Sequence, residues 1–153
     1  MDHIEKIKET EASEIPLGKL VLIISRSNFL YLKNHLKDLD LKGYQITMLF
    51  EIYKGKNISQ HEIGSNYNID KGVISRTLKK LEDDGFISRE IDENNRRRNI
   101  VSLTKKGEEA VEEIINIFNQ WESEIYEDID IEKDVLHEVL KTIAIKAIAM
   151  TKE

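Results

Sequence analysis

The sequence predicts a mainly α-helical fold with one small β-hairpin. Two observations favour this class. Apolar residues recur at helical spacing along most of the 153 residues, and only the stretch from Phe86 to Leu103 changes to a two-residue period that turn residues interrupt. The hydrophobic fraction of 40% is enough for a packed core, so we expect one globular domain with helical arms.

Two helices are predicted in the first third of the chain. Pro16 suits the first turn of a helix that runs to about residue 38, because its missing N–H group has no helical partner there. The apolar residues of this helix lie on more than one side. A second helix covers Tyr44–Tyr53, and we expect Gly55 to end it in a left-handed conformation.

Two further helices follow at helix-turn-helix spacing. Ser59 and Glu62 have the pattern of a capping box, which starts a short helix over residues 59–68. Asp70 is suited to cap the next helix, which stops at Gly85. The residues of this helix that we expect to face the core are Val73 or Ile74, Leu78 and Leu81.

A β-hairpin follows directly, and two long helices complete the chain. Strands are predicted at Phe86–Ile91 and Arg97–Leu103, and the turn residues Asp92–Asn95 lie between them. Thr104 is suited to cap a long helix, and Asp130 to cap the last one. The order of these elements is that of a winged helix-turn-helix flanked by long helices.

Composition excludes several classes of protein. The chain has no Cys, which excludes a disulfide scaffold, a cysteine zinc site and a thiol nucleophile or redox sensor. The longest apolar run, Leu20 to Ile24, is far shorter than the roughly 20 residues of a membrane span. The N-terminal segment lacks an apolar signal-peptide core, so we expect a cytoplasmic protein without membrane association. The four histidines are dispersed, and we expect neither a metal nor a cofactor.

The charges are unevenly distributed along the chain. The net charge is −6 overall, but residues 71–106 carry +4, whereas residues 107–153 carry −9. Five of the six arginines lie between positions 76 and 98. A planar guanidinium suits phosphates and base edges, so this basic middle segment is typical of a nucleic-acid interface. Composition alone leaves an ordinary solvated surface equally open.

Four stretches of the sequence share their order and spacing with one known family. They are Leu41 with Tyr44–Leu49, Asp70–Leu78, Leu81–Arg89, and Asp92–Arg97 followed by Leu103, Thr104 and Gly107. Through them, residues 17–150 resemble the MarR family of winged-helix transcriptional regulators. Two positions depart from the family pattern. Asn95 replaces a usual Asp in the wing, and Lys42 replaces a usual helix-capping Thr.

The resemblance implies both an organisation and a function. Residues 1–153 form a single MarR-like chain in which 43–106 is the DNA-binding winged helix-turn-helix and 15–40 and 107–153 are dimerisation helices. It implies a regulator, a repressor, that binds double-stranded DNA as a homodimer on a pseudo-palindromic operator. Release by a small lipophilic or phenolic ligand is also implied. The apolar surface of the terminal helices favours the dimer, although packing within one chain is the other interpretation.

The helix that begins after Asp70 is expected to enter the major groove, where base edges present an unambiguous pattern of donors and acceptors. The arginines at the hairpin tip suit the negative potential of a narrow minor groove. The predicted DNA contacts are Ser59, Gln60, Lys71, Gly72, Ser75, Arg76, Lys79, Arg96, Arg97 and Arg98. For Ser59 and Gln60, helix capping alone is an equally open interpretation. For the others, the alternative is an exposed charged surface.

The effector site and the class of activity have alternatives. Arg26, Tyr31 and His35 offer cationic, aromatic and hydrogen-bonding contacts to an effector, but they are equally consistent with ordinary helix-surface residues. A winged-helix protein-interaction module without sequence-specific DNA binding is the alternative function. An enzyme is not expected, because the carboxylates form no pocket-like cluster and no Gly-rich phosphate loop or nucleophile setting is found.

Overall fold

The computed structural model describes residues 3–36, 39–56, 58–63, 69–92 and 95–151, without the side chains of His3, Asp92 and residues 95–98. The elements are α1 (His3–Glu9), α2 (Leu17–His35), α3 (Gly43–Gly55), β1 (Ile58–Ser59), α4 (Lys71–Asp83), β2 (Ile87–Asp92), β3 (Asn95–Leu103), α5 (Lys105–Glu127) and α6 (Lys133–Met150). The chain divides into two compact units between Phe118 and Asn119, within α5. The mainly α-helical class with a small hairpin is confirmed.

The sheet of the first unit has three antiparallel strands in the order β1-β3-β2. In the hairpin, Ile87 pairs with Leu103, and the register becomes irregular between Ile91 and Asp92. The short strand β1 pairs with the other edge of β3, where Ile58 lies opposite Val101. The sequence predicted the hairpin but not β1, because a two-residue strand has no period of its own.

The core of the first unit lies between α3, α4, the sheet and the first half of α5. Its fully buried side chains are Leu32, Met48, Leu49, Ile52, Ile63, Leu78, Leu81, Val101, Val111 and Ile114. Each contributes about 1.5–3 kcal/mol by leaving water. Ile74, Leu78 and Leu81 are the buried residues of α4, as the helical spacing predicted.

Local signals fix both ends of α4. The Asp70 carboxylate accepts hydrogen bonds from the backbone N–H groups of Gly72 and Val73, at 2.8 and 3.3 Å. At the other end Gly85 adopts a positive φ of 77°, and the N–H of Phe86 donates to the carbonyl of Leu81 at 2.9 Å. Both predicted ends are therefore confirmed.

Two predicted helix ends are wrong. Gly55 is the last residue of α3, and Lys56 takes the positive φ of 42° instead. Glycine is needed at 55 for a different reason, since a Cβ there would lie 1.8 Å from Cγ2 of Ile58. The last helix is preceded by Glu132 rather than Asp130, and the Glu132 carbonyl accepts from the first-turn amides.

The described part of the predicted helix over 59–68 is not helical. Ser59 lies in β1, and turn residues follow it as far as Ile63. Residues 64–68 lie outside the described residues. The helix α1, which the sequence did not predict, contains seven residues and is below the length at which helical periodicity is clear.

The second unit contains a polar cluster that joins the end of α5 to α6. The Lys133 ammonium donates to Oε1 of Glu122 at 2.6 Å, and Nε2 of His137 lies 3.1 Å from the same oxygen. The hydrogen bond from Lys133 lowers the pKa of the Glu122 carboxyl below its usual value. None of the described helices combines the length and the apolarity that a membrane span requires.

Candidate nucleic-acid interface

One face of α4 is polar and open to solvent. Its residues are Lys71, Gly72, Ser75, Arg76 and Lys79, of which Gly72 is half-buried and the others are exposed. They lie opposite the buried Ile74, Leu78 and Leu81. The structure therefore brings these five predicted site residues onto one surface, which can present two lysines, a hydroxyl and a guanidinium to a groove of DNA. That they contact DNA stays a prediction.

The side chain of Arg76 extends towards the beginning of α4. A Cβ on Gly72 would lie 3.3 Å from Nη1 of Arg76 and 2.9 Å from Oδ1 of Asp70. Glycine at 72 thus leaves room for the guanidinium beside the helix cap. The position of Lys79 is only weakly restrained, because its ammonium lies 3.9 Å from the Asp83 carboxylate and both side chains are largely exposed.

Ser59 occupies a buried position rather than an open helix start. The residue is 2% exposed, its N–H donates to Oε2 of Glu62 at 2.9 Å, and its hydroxyl donates to the same oxygen. This geometry favours the capping interpretation over a phosphate contact. Gln60 is half-buried, and its N–H donates to the carbonyl of Asn99 at 3.1 Å.

The three arginines of the wing lie at the beginning of β3. The strand starts at Asn95, two residues earlier than predicted, so Arg96, Arg97 and Arg98 are strand residues that directly follow the turn. Asn95 pairs with Asp92 and Asn99 pairs with Ile91, so the three arginines occupy the irregular stretch of β3 between these two pairs. Residues 93–94 and the side chains of the three arginines lie outside what the structure describes.

An ion pair that sequence reasoning missed connects α4 to the wing. Nε of Arg89 in β2 donates to Oε2 of Glu82 at 2.9 Å, and Nη2 donates to the same oxygen. This hydrogen bonding lowers the pKa of Glu82 and raises that of Arg89. The two residues are seven positions apart in different elements, so helical spacing could not have identified them.

A cavity of about 580 Å³ lies where α2 meets the segment that enters α3. Arg26, Phe29, Leu30 and Lys33 line it from α2. Tyr31 and His35 are not among its lining residues. Their rings stack on each other at 4.0 Å, and Nδ1 of His35 lies 2.7 Å from the Tyr31 carbonyl oxygen. The three predicted effector residues are therefore not brought together.

No group of three acidic or histidine side chains that could hold a metal ion occurs among the described residues.

A groove of about 530 Å³ shares Phe29, Lys42 and Gly43 with the cavity beside α2. It continues to Arg76 and Lys80 of α4. The ammonium of Lys80 forms an ion pair with Oδ1 of Asp84 at 2.9 Å, and this contact raises the pKa of Lys80.

Comparisons with known proteins agree on one family. The sequence profile described as the MarR family matches residues 44–98. The chain is 30% identical over 109 residues to the HTH-type transcriptional regulator BilQ of Clostridioides difficile (strain CD3), which covers 71% of this chain and 74% of that protein. It is also 30% identical over 114 residues to the HTH-type transcriptional regulator SarZ of Staphylococcus saprophyticus, covering 71% and 77%. A crystal structure of MarR has a TM-score of 0.80 and 34% identity, over 94% of this chain and 99% of that chain.

Proposed function

This chain belongs to the MarR family of DNA-binding transcriptional regulators, which are not enzymes, and we propose that it is a homodimeric repressor that reads a pseudo-palindromic operator. The observation that carries the proposal is the exposed basic and polar face of α4. The opposite face of the same helix is fixed in the core, so the exposed side chains are held by a rigid element.

We propose that the exposed side chains of α4 contact bases and phosphates in the major groove. Arg76 supplies a planar fork that matches O6 and N7 of guanine, and Ser75 can donate or accept at a neighbouring base. Lys71 and Lys79 provide point charges for flanking phosphates. Arg96, Arg97 and Arg98 are proposed for the minor groove, where their charge adds affinity more than sequence specificity.

The homodimer is proposed from apolar side chains that the single chain leaves in water. In α2, Leu22 is 67% exposed, and in α6, Ile145 is 60% exposed. Further exposed apolar residues on these helices are Leu17, Val21, Ile24, Phe29, Leu30, Val135, Val139, Leu140, Ile148 and Met150. Exposed apolar surface on this scale is typical of an interface, and a two-fold dimer would place two α4 helices in half-sites roughly 34 Å apart.

The effector is proposed to bind in the cavity beside α2. Arg26, Lys33 and Lys42 line it with positive charge, which exceeds the negative charge of Asp40. Phe29 and Leu30 supply an apolar wall, and the combination suits a small lipophilic or phenolic anion. Binding there would release DNA if the ligand favoured a different spacing of the two DNA-binding lobes. A role for Tyr31 and His35 stays a prediction that requires a second position outside this cavity.

The function is tested by selecting duplexes from a random pool with the purified protein and measuring affinity by fluorescence anisotropy over a series of salt concentrations. We expect a pseudo-palindromic sequence and a steep fall of log Kobs with log[salt], because lysines and arginines release counterions from phosphates. A protein that selects no duplex, and binds DNA without sequence preference, would instead support the protein-interaction module.

A further inference from the structure

The first turn of α5 binds the backbone that follows α4. The three consecutive carbonyl oxygens of residues 84–86, just after α4, accept hydrogen bonds from Thr104 and Lys106 at the beginning of α5. The Lys106 ammonium donates to the Asp84 oxygen at 2.7 Å, and the Thr104 hydroxyl donates to the Gly85 oxygen at 2.7 Å. The Thr104 N–H donates to the Phe86 oxygen at 3.0 Å. We call Thr104, Lys106 and Gly107 the α5 clamp.

The approach of the two backbones is close and specific. A Cβ on Gly107 would lie 2.1 Å from the Phe86 carbonyl oxygen, so only glycine allows this contact. Thr104 also accepts a hydrogen bond from the Gly107 N–H at 3.2 Å, which caps α5 as the sequence predicted. The same hydroxyl therefore starts α5 and binds the end of α4.

Lys106 has a second contact in the clamp. Its Nζ lies 4.3 Å from the centroid of the buried Phe86 ring, a cation–π geometry. Lys80 pairs with Oδ1 of Asp84, and Lys106 binds the main-chain carbonyl of the same residue. A positive charge at this point also complements the negative end of the α4 dipole.

We propose that Lys106 is a positioning residue for DNA binding, which fixes the tilt of α4 without itself touching the DNA. The inference rests on the proposed role of α4 in reading the groove. A helix of 13 residues is roughly 20 Å long, so a tilt of about 5° at the clamped end moves the other end by about 1.7 Å. Such a shift is enough to misalign the fork of Arg76 with a base edge.

The test compares Lys106→Met with Lys105→Met. Both variants lose one positive charge from the same turn of α5, but Lys105 pairs with Glu109 at the long distance of 3.8 Å, and its side chain is 89% exposed. The probe is a duplex that the wild-type protein selects from a random pool. We expect K106M to lower affinity for this duplex about tenfold, the size of one disturbed base contact, and K105M to leave it within twofold.

Two readouts separate positioning from contact and from general damage. A lost phosphate contact reduces the slope of log Kobs against log[salt] by about 0.9, whereas a positioning role leaves the slope of K106M equal to that of K105M. Affinity for a duplex of scrambled sequence should also be equal in the two variants. Lys106→Arg, which keeps the charge and the donor, should recover most of the lost affinity.

Hydrogen exchange without DNA tests the clamp independently of the proposed function. The amides of the last turn of α4 and of residues 84–86 should exchange faster in K106M than in K105M, while those of α3 remain protected. Equal exchange in the two variants, equal affinity for the selected duplex or a reduced salt slope in K106M would each overturn the proposal. Failure of the wild-type protein to select any duplex would count against the proposed function instead.

Discussion

The guanidinium of Arg89 binds the carboxylate of Glu82, with Nε donating to Oε2 at 2.9 Å. This contact joins the last turn of α4 to the first strand of the wing. The two proposed DNA-binding elements are thus connected by a side-chain pair as well as by the intervening turn. Because both side chains are only partly exposed, the pair is less screened than an ordinary surface salt bridge.

Replacing Arg89 by Met is expected to lower the free energy of unfolding by about 1 kcal/mol near pH 7. Urea unfolding measures this loss. A double-mutant cycle that adds Glu82→Gln isolates the interaction energy of the Arg89–Glu82 pair. The pKa of Glu82 is lowered from its usual 4.5, so the stabilisation is present above that pH and is lost as the pH falls through the lowered value. A difference between wild type and R89M that persists undiminished in strong acid would contradict this origin.

Replacing Gly72 by Ala should weaken DNA binding about tenfold with little loss of stability. The added Cβ would meet Oδ1 of Asp70 and Nη1 of Arg76, so it displaces the guanidinium and disturbs the cap. Because alanine has a higher helix propensity than glycine, the substitution also stabilises α4 by up to about 1 kcal/mol. Gly18→Ala is the matched control, because nothing lies within 4 Å of a Cβ at that helical glycine. Full DNA affinity in G72A would show that the position of Arg76 does not depend on Gly72.

Replacing Leu140 by Asp should convert a dimer into a monomer. Leu140 is 47% exposed in the single chain, so the change costs little unless a second copy covers this face of α6. Sedimentation velocity measures the outcome. Ile91→Asp introduces the same charge at a residue that is 64% exposed on β2, outside the proposed interface, and should remain dimeric. If L140D and I91D have the same mass in solution, the proposed dimer contact through α6 is refuted.

Replacing Arg97 by Ala is expected to weaken binding to all operator variants by a similar factor. A minor-groove arginine contributes charge and shape preference rather than base identity. Arg76→Ala serves as the contrast, since loss of a bidentate base contact costs about 1–3 kcal/mol at one base pair and relaxes the preference there. Anisotropy titrations on single-base variants of the selected duplex distinguish these patterns. Unchanged affinity of R97A at moderate salt would remove the proposed minor-groove contact.

The sequence predicted α4 correctly at both ends because its signals are local. Asp70 and Gly85 act on amides and carbonyls within a few residues, and the apolar spacing between them reports the buried face. The strand β1 was missed because its partners lie in β3, far along the chain. Glu82 and Arg89 were missed for a related reason, since their contact depends on how the wing folds back.

The cavity beside α2 shows a different limit. Tyr31 and His35 are four residues apart and do lie together, as helical spacing requires. Arg26 lies on another side of the same helix, beside Phe29, Leu30 and Lys33. The sequence shows which residues share a side of α2, but the side that faces a cavity is decided by the segment entering α3.

The helix α6 contains no buried residue in the single chain, although apolar side chains occur along its whole length. Under the proposed pairing, the free energy that keeps this helix folded is supplied by a second copy and therefore rises with protein concentration. The abundance of the regulator would then influence its own survival, because chains made at low copy number spend longer unpaired and open to proteolysis.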